Sequence, residues 1–215
     1  MNESHETRPR VLLADDHAVV VEGICAILEK TYEVVGIAKD GRELLTKAAQ
    51  LKPDLIIVDV GMPSLNGFDA AQQVLKALPK VKLVFLTMME NPNMAAAALN
   101  LGPVGYVLKD SAACELLKAI SEILSGRSYV TPKLRPENWA EQEKRAQQFS
   151  KVLSSRQREV LQLLAEGRPM KEVADILGVS EKAVCFHKYN LMRTLNLRNN
   201  TDLVVFALNE GLISR

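Results

Sequence analysis

Short apolar runs alternate with stretches of helical period over the first 126 residues. Val11–Ala14, Val34–Ala38, Leu55–Val58, Lys82–Thr87 and Val104–Lys109 read as strands. The third, Leu55-Ile56-Ile57-Val58, is apolar without interruption, the pattern of a strand buried on both faces. Between these runs the apolar residues recur every three or four positions, as in Val20, Ile24, Ile27 and Leu28, or Leu116, Ile120, Ile123 and Leu124. Pro53, Pro79 and Gly126 close helices. Five strands alternating with five helices predict an α/β domain with a parallel sheet covered on both faces. Right-handed crossovers then bring the carboxyl ends of all strands to one edge.

The pattern changes after residue 127. Pro132 and Pro136 punctuate the next segment, and Asn138–Gln148 is almost wholly polar. The stretch 128–150 therefore reads as a connector with a short solvated helix, and Trp139 as a local staple. Helical periodicity returns after Ser154-Ser155, an N-cap signal, in four segments punctuated by Gly167, Gly178 and Ser180. A short helix, a glycine-bounded turn and a longer basic helix match a helix-turn-helix. The chain is thus divided into an α/β domain at 1–127, a connector at 128–150 and an all-α domain at 151–215.

At 215 residues the chain has room for two modest cores. No apolar run approaches the roughly 18 residues a membrane helix requires, and Met1–Arg10 lacks a signal-peptide core, so a cytoplasmic protein is expected. Cys25, Cys114 and Cys185 are scattered and form no metal-ligand or disulfide pattern. The near-neutral total hides a contrast: residues 1–127 hold 13 basic and 16 acidic side chains, and residues 151–215 hold 10 and 7. An acidic front and a basic back suit a regulatory domain joined to a nucleic-acid binder.

The strand ends carry the chemistry. Asp15, Asp16, Asp59, Thr87 and Lys109 all follow or close apolar runs and should converge at the sheet edge. Packed carboxylates repel one another and call for a divalent cation. Oxygen ligands without a histidine cluster favour Mg2+. Lys109 supplies positive charge and Thr87 a hydroxyl donor. Asp59 is then a carboxylate nucleophile for phosphoryl transfer. In the back domain Lys182, Lys188, Arg193 and Arg198 stand against one acid, Glu181, between residues 180 and 200, a composition suited to DNA phosphates.

Two resemblances follow from these stretches. Leu13-Ala14-Asp15-Asp16-His17, Val58-Asp59-Val60-Gly61-Met62-Pro63, Phe85-Leu86-Thr87 and Tyr106-Val107-Leu108-Lys109-Asp110 resemble the receiver domain of two-component response regulators. That resemblance implies a flavodoxin-like (βα)5 fold and phosphorylation of Asp59 by a sensor histidine kinase. It implies Mg2+ on Asp16, Asp59 and the Gly61 carbonyl, with Asp15 acting through water. It also implies a Thr87–Tyr106 switch pair. Leu153–Leu161, Ala165-Glu166-Gly167, Lys171–Ala174 and Leu177–His187 resemble the LuxR-type output domain. Together they are similar to the NarL/FixJ class: a transcription factor, not an enzyme, that dimerises on activation and binds double-stranded DNA. Its DNA contacts are expected from Lys182, Cys185, Phe186, Lys188, Tyr189 and Arg193, and the class implies a dimer contact through Leu203, Phe206 and Ala207, residues that equally suit the core of their own domain.

The chain departs from the class at a few positions. Ala183 and Cys185 stand where threonine and lysine are usual, so the recognition helix is less basic and more apolar. Gly61 removes the second acid that an aspartyl-phosphate hydrolase requires, and no glycine-rich loop follows the first strand to hold a nucleotide. Two alternatives remain: an output domain kept for dimerisation or a protein partner, and a receiver that signals without phosphate.

Overall fold

A computed structural model describes residues 8–135 and 153–213. The front domain runs β1 (Arg10–Ala14), α1 (Ala18–Leu28), β2 (Glu33–Ala38), α2 (Gly41–Leu51), β3 (Leu55–Asp59), α3 (Gly67–Ala77), β4 (Lys82–Thr87), α4 (Pro92–Leu99), β5 (Val104–Leu108), α5 (Ala112–Leu124) and β6 (Tyr129–Val130). All strands are parallel, in the order β2-β1-β3-β4-β5-β6. Alternation along each strand feeds two cores. Leu12, Ile56, Val58, Phe85 and Tyr106 face one side, while Val11, Leu13, Leu55, Ile57, Val84 and Leu86 face the other. Each fully buried aliphatic side chain contributes roughly 1.5–3 kcal/mol through removal from water.

The register decides where the chemistry emerges. Ala14 pairs with Val58, Val58 with Phe85, and Phe85 with Tyr106. The polar residues just beyond this row, Asp15, Asp59, Thr87 and Lys109, therefore leave the sheet at one edge.

The sheet is one strand wider than the five-strand pattern predicts. Tyr129 and Val130, in the stretch read as connector, pair with Gly105 and Tyr106. The Thr131 hydroxyl accepts from the Leu108 amide and donates to Glu115 on α5, which also accepts from Tyr129. The exposed edge of β5 recruits this strand. Two apolar residues followed by Thr131 and Pro132 are too few to show a strand period, so the sequence carries no signal for it. The polar helix expected at 138–148 and Trp139 lie outside the described residues.

The back domain comprises α6 (Ser155–Ala165), α7 (Met170–Leu177), α8 (Glu181–Thr194) and α9 (Asn200–Asn209). Ser154 and Gln157 form a reciprocal capping box at the start of α6. Gly178 ends α7 in the left-handed region, φ 64°, and Ser180 caps α8. Val160, Leu163, Val173, Leu177 and Val184 pack one side of α6. Leu153, Leu161, Leu191, Leu203, Ala207 and Leu212 pack the other. Leu203 and Ala207 are thus core residues, 1% and 0% exposed, so they are spent inside the domain and not available for pairing. Val205 is the large apolar residue that α9 exposes.

One close approach ties the fold to the site. A Cβ on Gly67, the first residue of α3, would lie 1.9 Å from the Asp59 carbonyl oxygen. Glycine here lets α3 start directly beneath the end of β3. Gly67→Ala is expected to lower receiver stability by about 1–3 kcal/mol in urea denaturation, since backbone rather than a flexible side chain must move. An unchanged midpoint would contradict this packing.

Candidate functional site

Asp15, Asp16, His17 and Asp59 offer ligand atoms that all lie within 4.8 Å of one another. Asp59 is 4% exposed and Asp15 1%. The Lys109 ammonium, itself buried, sits 2.7 Å from Asp15 Oδ2 and 2.9 Å from Asp59 Oδ2. The Gly61 amide donates to Asp59 Oδ1 at 3.2 Å. Asp16 is more open, and its Oδ1 lies 3.1 Å from His17 Nδ1, which also approaches Asp15 Oδ1 at 3.2 Å. The Thr87 hydroxyl is buried and accepts from the Met89 amide. The Tyr106 ring is buried inward, its hydroxyl bonded to that of Thr87, and burial pushes its phenol well above the ordinary tyrosine range. All the acceptor-site residues expected from the sequence are therefore brought together. His17 is an addition, for which its adjacency to Asp16 was the signal.

Burial pushes the Asp59 carboxyl above the usual carboxylate range. Lys109 and the Gly61 amide pull it down, and the neighbouring Asp15 raises it. Asp15 Oδ2 is buried, and the Lys109 ammonium 2.7 Å away compensates its charge. One ammonium thus serves two buried carboxylates, with a third carboxylate at the rim.

The output domain docks on the loop that follows Asp59. Gln162, fully buried on α6, accepts from the Asn66 amide at 2.8 Å and donates to the Met62 carbonyl at 2.9 Å. Glu166 accepts from the Ser64 amide at 2.9 Å. Ser64 has φ 66°, a conformation that costs a non-glycine residue about 1–2 kcal/mol. Beside this loop Arg158, 6% exposed, pairs with the buried carboxylate of Asp69 at 2.5 Å and reaches Gln72. At the other end Leu208, Asn209, Gly211 and Ile213 line a cavity of about 700 Å3 together with Asp59, Gly61, Thr87 and Lys109. The docking role of these residues was not legible in the sequence, although Met62, Arg158 and Glu166 lie within the stretches that carry the resemblances, because a polar side chain buried between domains has no local pattern.

The recognition helix, α8, is not covered by this docking. Lys182, Cys185 and Arg193 are exposed, as are Phe186 and Tyr189 at 63% and 64%. Lys188, like His187 before it, is half-buried. Among the described residues no helix is long and apolar enough to cross a membrane.

The raised Asp59 group has a stability consequence. The folded chain holds this proton more tightly than the unfolded chain, so its contribution is intact below the ordinary carboxylate range and is lost as pH rises through the folded value. Asp59→Asn removes the buried charge. It should be more stable than the wild type at pH 7, with an advantage that shrinks as pH falls through the raised folded value and is lost below about pH 4. Denaturant titrations across this range check it; an advantage independent of pH would contradict the assignment.

Comparison with known proteins agrees with this geometry. Residues 11–121 match the family described as response regulator receiver domain, and residues 151–207 match bacterial regulatory proteins, luxR family. The transcriptional regulatory protein YxjL of Bacillus subtilis is 35% identical over 211 residues, covering 95% of this chain and 97% of YxjL. The oxygen regulatory protein NreC of Staphylococcus carnosus is 34% identical, covering 95% of this chain and 99% of NreC. Among solved structures, the RcsB response regulator of Salmonella typhimurium aligns with a TM-score of 0.67 at 29% identity, over 95% of this chain and 98% of RcsB. An RcsB–DNA complex aligns with a TM-score of 0.54 at 30% identity, over 93% and 97%. These relatives span nearly the whole chain, and each is described as a regulatory protein or response regulator. The chain belongs to the response regulators that join a receiver domain to a LuxR-family DNA-binding output domain.

Proposed function

We propose that Asp59 is the phosphoacceptor and that its phosphorylation by a sensor histidine kinase in the cytoplasm releases the docked output domain. The observation that carries this reading is the convergence of Asp15, Asp16, Asp59, Thr87 and Lys109 at one sheet edge, with the output helix bonded to the next loop. An Asp59 carboxylate oxygen attacks the phosphorus of a phosphohistidine, the phosphorus–nitrogen bond breaks and the imidazole leaves. Lys109, already at Asp59, holds positive charge against the incoming oxygens. The Thr87 hydroxyl lies ready to exchange its present partners for a phosphoryl oxygen.

The residues fit a Mg2+ ion. The cluster offers carboxylate oxygens from Asp15, Asp16 and Asp59 within reach of one another, and these carry more negative charge than Lys109 offsets. Asp15, Asp16, Asp59 and the Gly61 carbonyl would hold it. When bound, Mg2+ offsets the repulsion between the acceptor carboxylate and phosphoryl oxygens.

Coupling to output follows from the docking. The base-reading face of α8 is already exposed, so docking restrains the placement of the domain rather than hiding this helix. What it holds is the end of α9 and the turn after it, Leu208–Ile213, across a shared cavity from the acceptor site. Release frees that end, and two output domains then pair as a homodimer on half-sites about one helical turn apart. Lys182, Cys185, Phe186, Lys188, Tyr189 and Arg193 contact DNA from α8 or its flank.

Incubation with acetyl phosphate and Mg2+ should add the mass of one phosphoryl group to the wild type. Asp59→Ala should gain none, and chelating Mg2+ should abolish the gain. No gain in the wild type, or an equal gain in Asp59→Ala, sinks the acceptor assignment.

A further inference from the structure

The outer face of α8 carries a feature that phosphate binding leaves unexplained. At 3.6 residues per turn, Lys182, Cys185, Phe186, Tyr189 and Arg193 fall within an arc of about 100°. This arc lies opposite the buried Val184 and Leu191. Phe186 and Tyr189 therefore point directly away from the core, and their exposures of 63% and 64% leave most of each ring in water. Neither is screened by the docked receiver. Phe186 meets the His187 ring edge-on at 6.0 Å, and the Arg193 guanidinium lies 6.0 Å from the Tyr189 ring centre. Cys185 lies exposed beside them. The result is an apolar centre with Lys182 at one end and Arg193 at the other, and no acid within the arc.

We infer that Phe186 and Tyr189 read thymine in the operator by packing against its C5-methyl group. The inference rests on the placement of α8 in the major groove. The charge pattern selects the occupant: two terminal cations suit the phosphates on either side of a groove, and between them the Phe186 ring and the ring face of Tyr189 suit an apolar base edge. In the major groove the thymine methyl is the apolar group that base edges present. The Tyr189 hydroxyl is not required for this contact, and Arg193 stacked on that ring orients it. An apolar patch meant for a protein partner would not be expected to end in a cation at both poles with none of its carboxylate counterparts.

The test uses the full-length protein phosphorylated with acetyl phosphate and Mg2+. Duplexes are selected from a random DNA pool, and each thymine of an enriched duplex is replaced in turn by deoxyuridine, which lacks only the methyl. Replacement at one or two positions per half-site is expected to weaken binding about 3–5-fold each, the effect of one buried methyl group. Phe186→Ala or Tyr189→Ala should abolish the thymine–uracil discrimination at the matching position, and Tyr189→Phe should keep it. Equal affinity for thymine and uracil at every position of the wild-type site overturns the inference while leaving groove binding intact. Discrimination that survives in both alanine variants also overturns it. Failure to enrich any duplex removes the groove placement and this inference together.

Discussion

One lysine between two buried carboxylates sets the terms for the receiver. Parallel strands with a common register deliver Asp15, Asp59 and Lys109 to one edge, where solvent is largely excluded. Removing ions from water costs several kcal/mol each unless a partner compensates, and here a single ammonium lies 2.7 and 2.9 Å from the two carboxylates. The edge is therefore negative overall and Asp59 is held at raised proton affinity. A site in that condition is poised for a cation and for conversion of its carboxylate into an acyl phosphate.

A second buried polar network begins only a few residues away. Gly67 lies under the Asp59 carbonyl, Asn66 precedes it, and the Met62–Asn66 loop bonds Gln162 and Glu166 on the output helix. Arg158 and Asp69 close the same interface with a buried ion pair. Removing one partner from such a pair costs about 3–5 kcal/mol, whereas rearranging both together costs less. In the proposed function, the docked arrangement and a released one are the two states that phosphorylation of Asp59 would bias, and the loop would be the short path from Asp59 to the output domain.

The receiver was legible in the sequence because its strands are short apolar runs and its reactive residues sit at their ends. The capping box at Ser154–Gln157 and the turn at Gly178 were legible for a similar reason: each is fixed by a local backbone need. The sixth strand was not, because Tyr129 and Val130 become a strand only when β5 offers them an edge. The docking surface was not either. Arg158, Gln162 and Asp69 look like solvated helix residues until another domain removes the solvent, and periodicity within one helix cannot report that. Leu203 and Ala207 show the converse, since an apolar stripe on α9 fits a dimer seam and a core equally well, and only packing decides.

If phosphoryl transfer to Asp59 releases the output domain as proposed, it undoes the bonds between the Met62–Asn66 loop and α6. The Ser64 and Asn66 amides donate to Glu166 and Gln162 only while the domains are docked. Hydrogen exchange at these two amides, before and after treatment with acetyl phosphate and Mg2+, measures this directly. Exchange should accelerate on phosphorylation in the wild type and stay slow in Asp59→Ala. Protection that persists in the fully phosphorylated wild type would contradict the coupling between the acceptor site and the output domain.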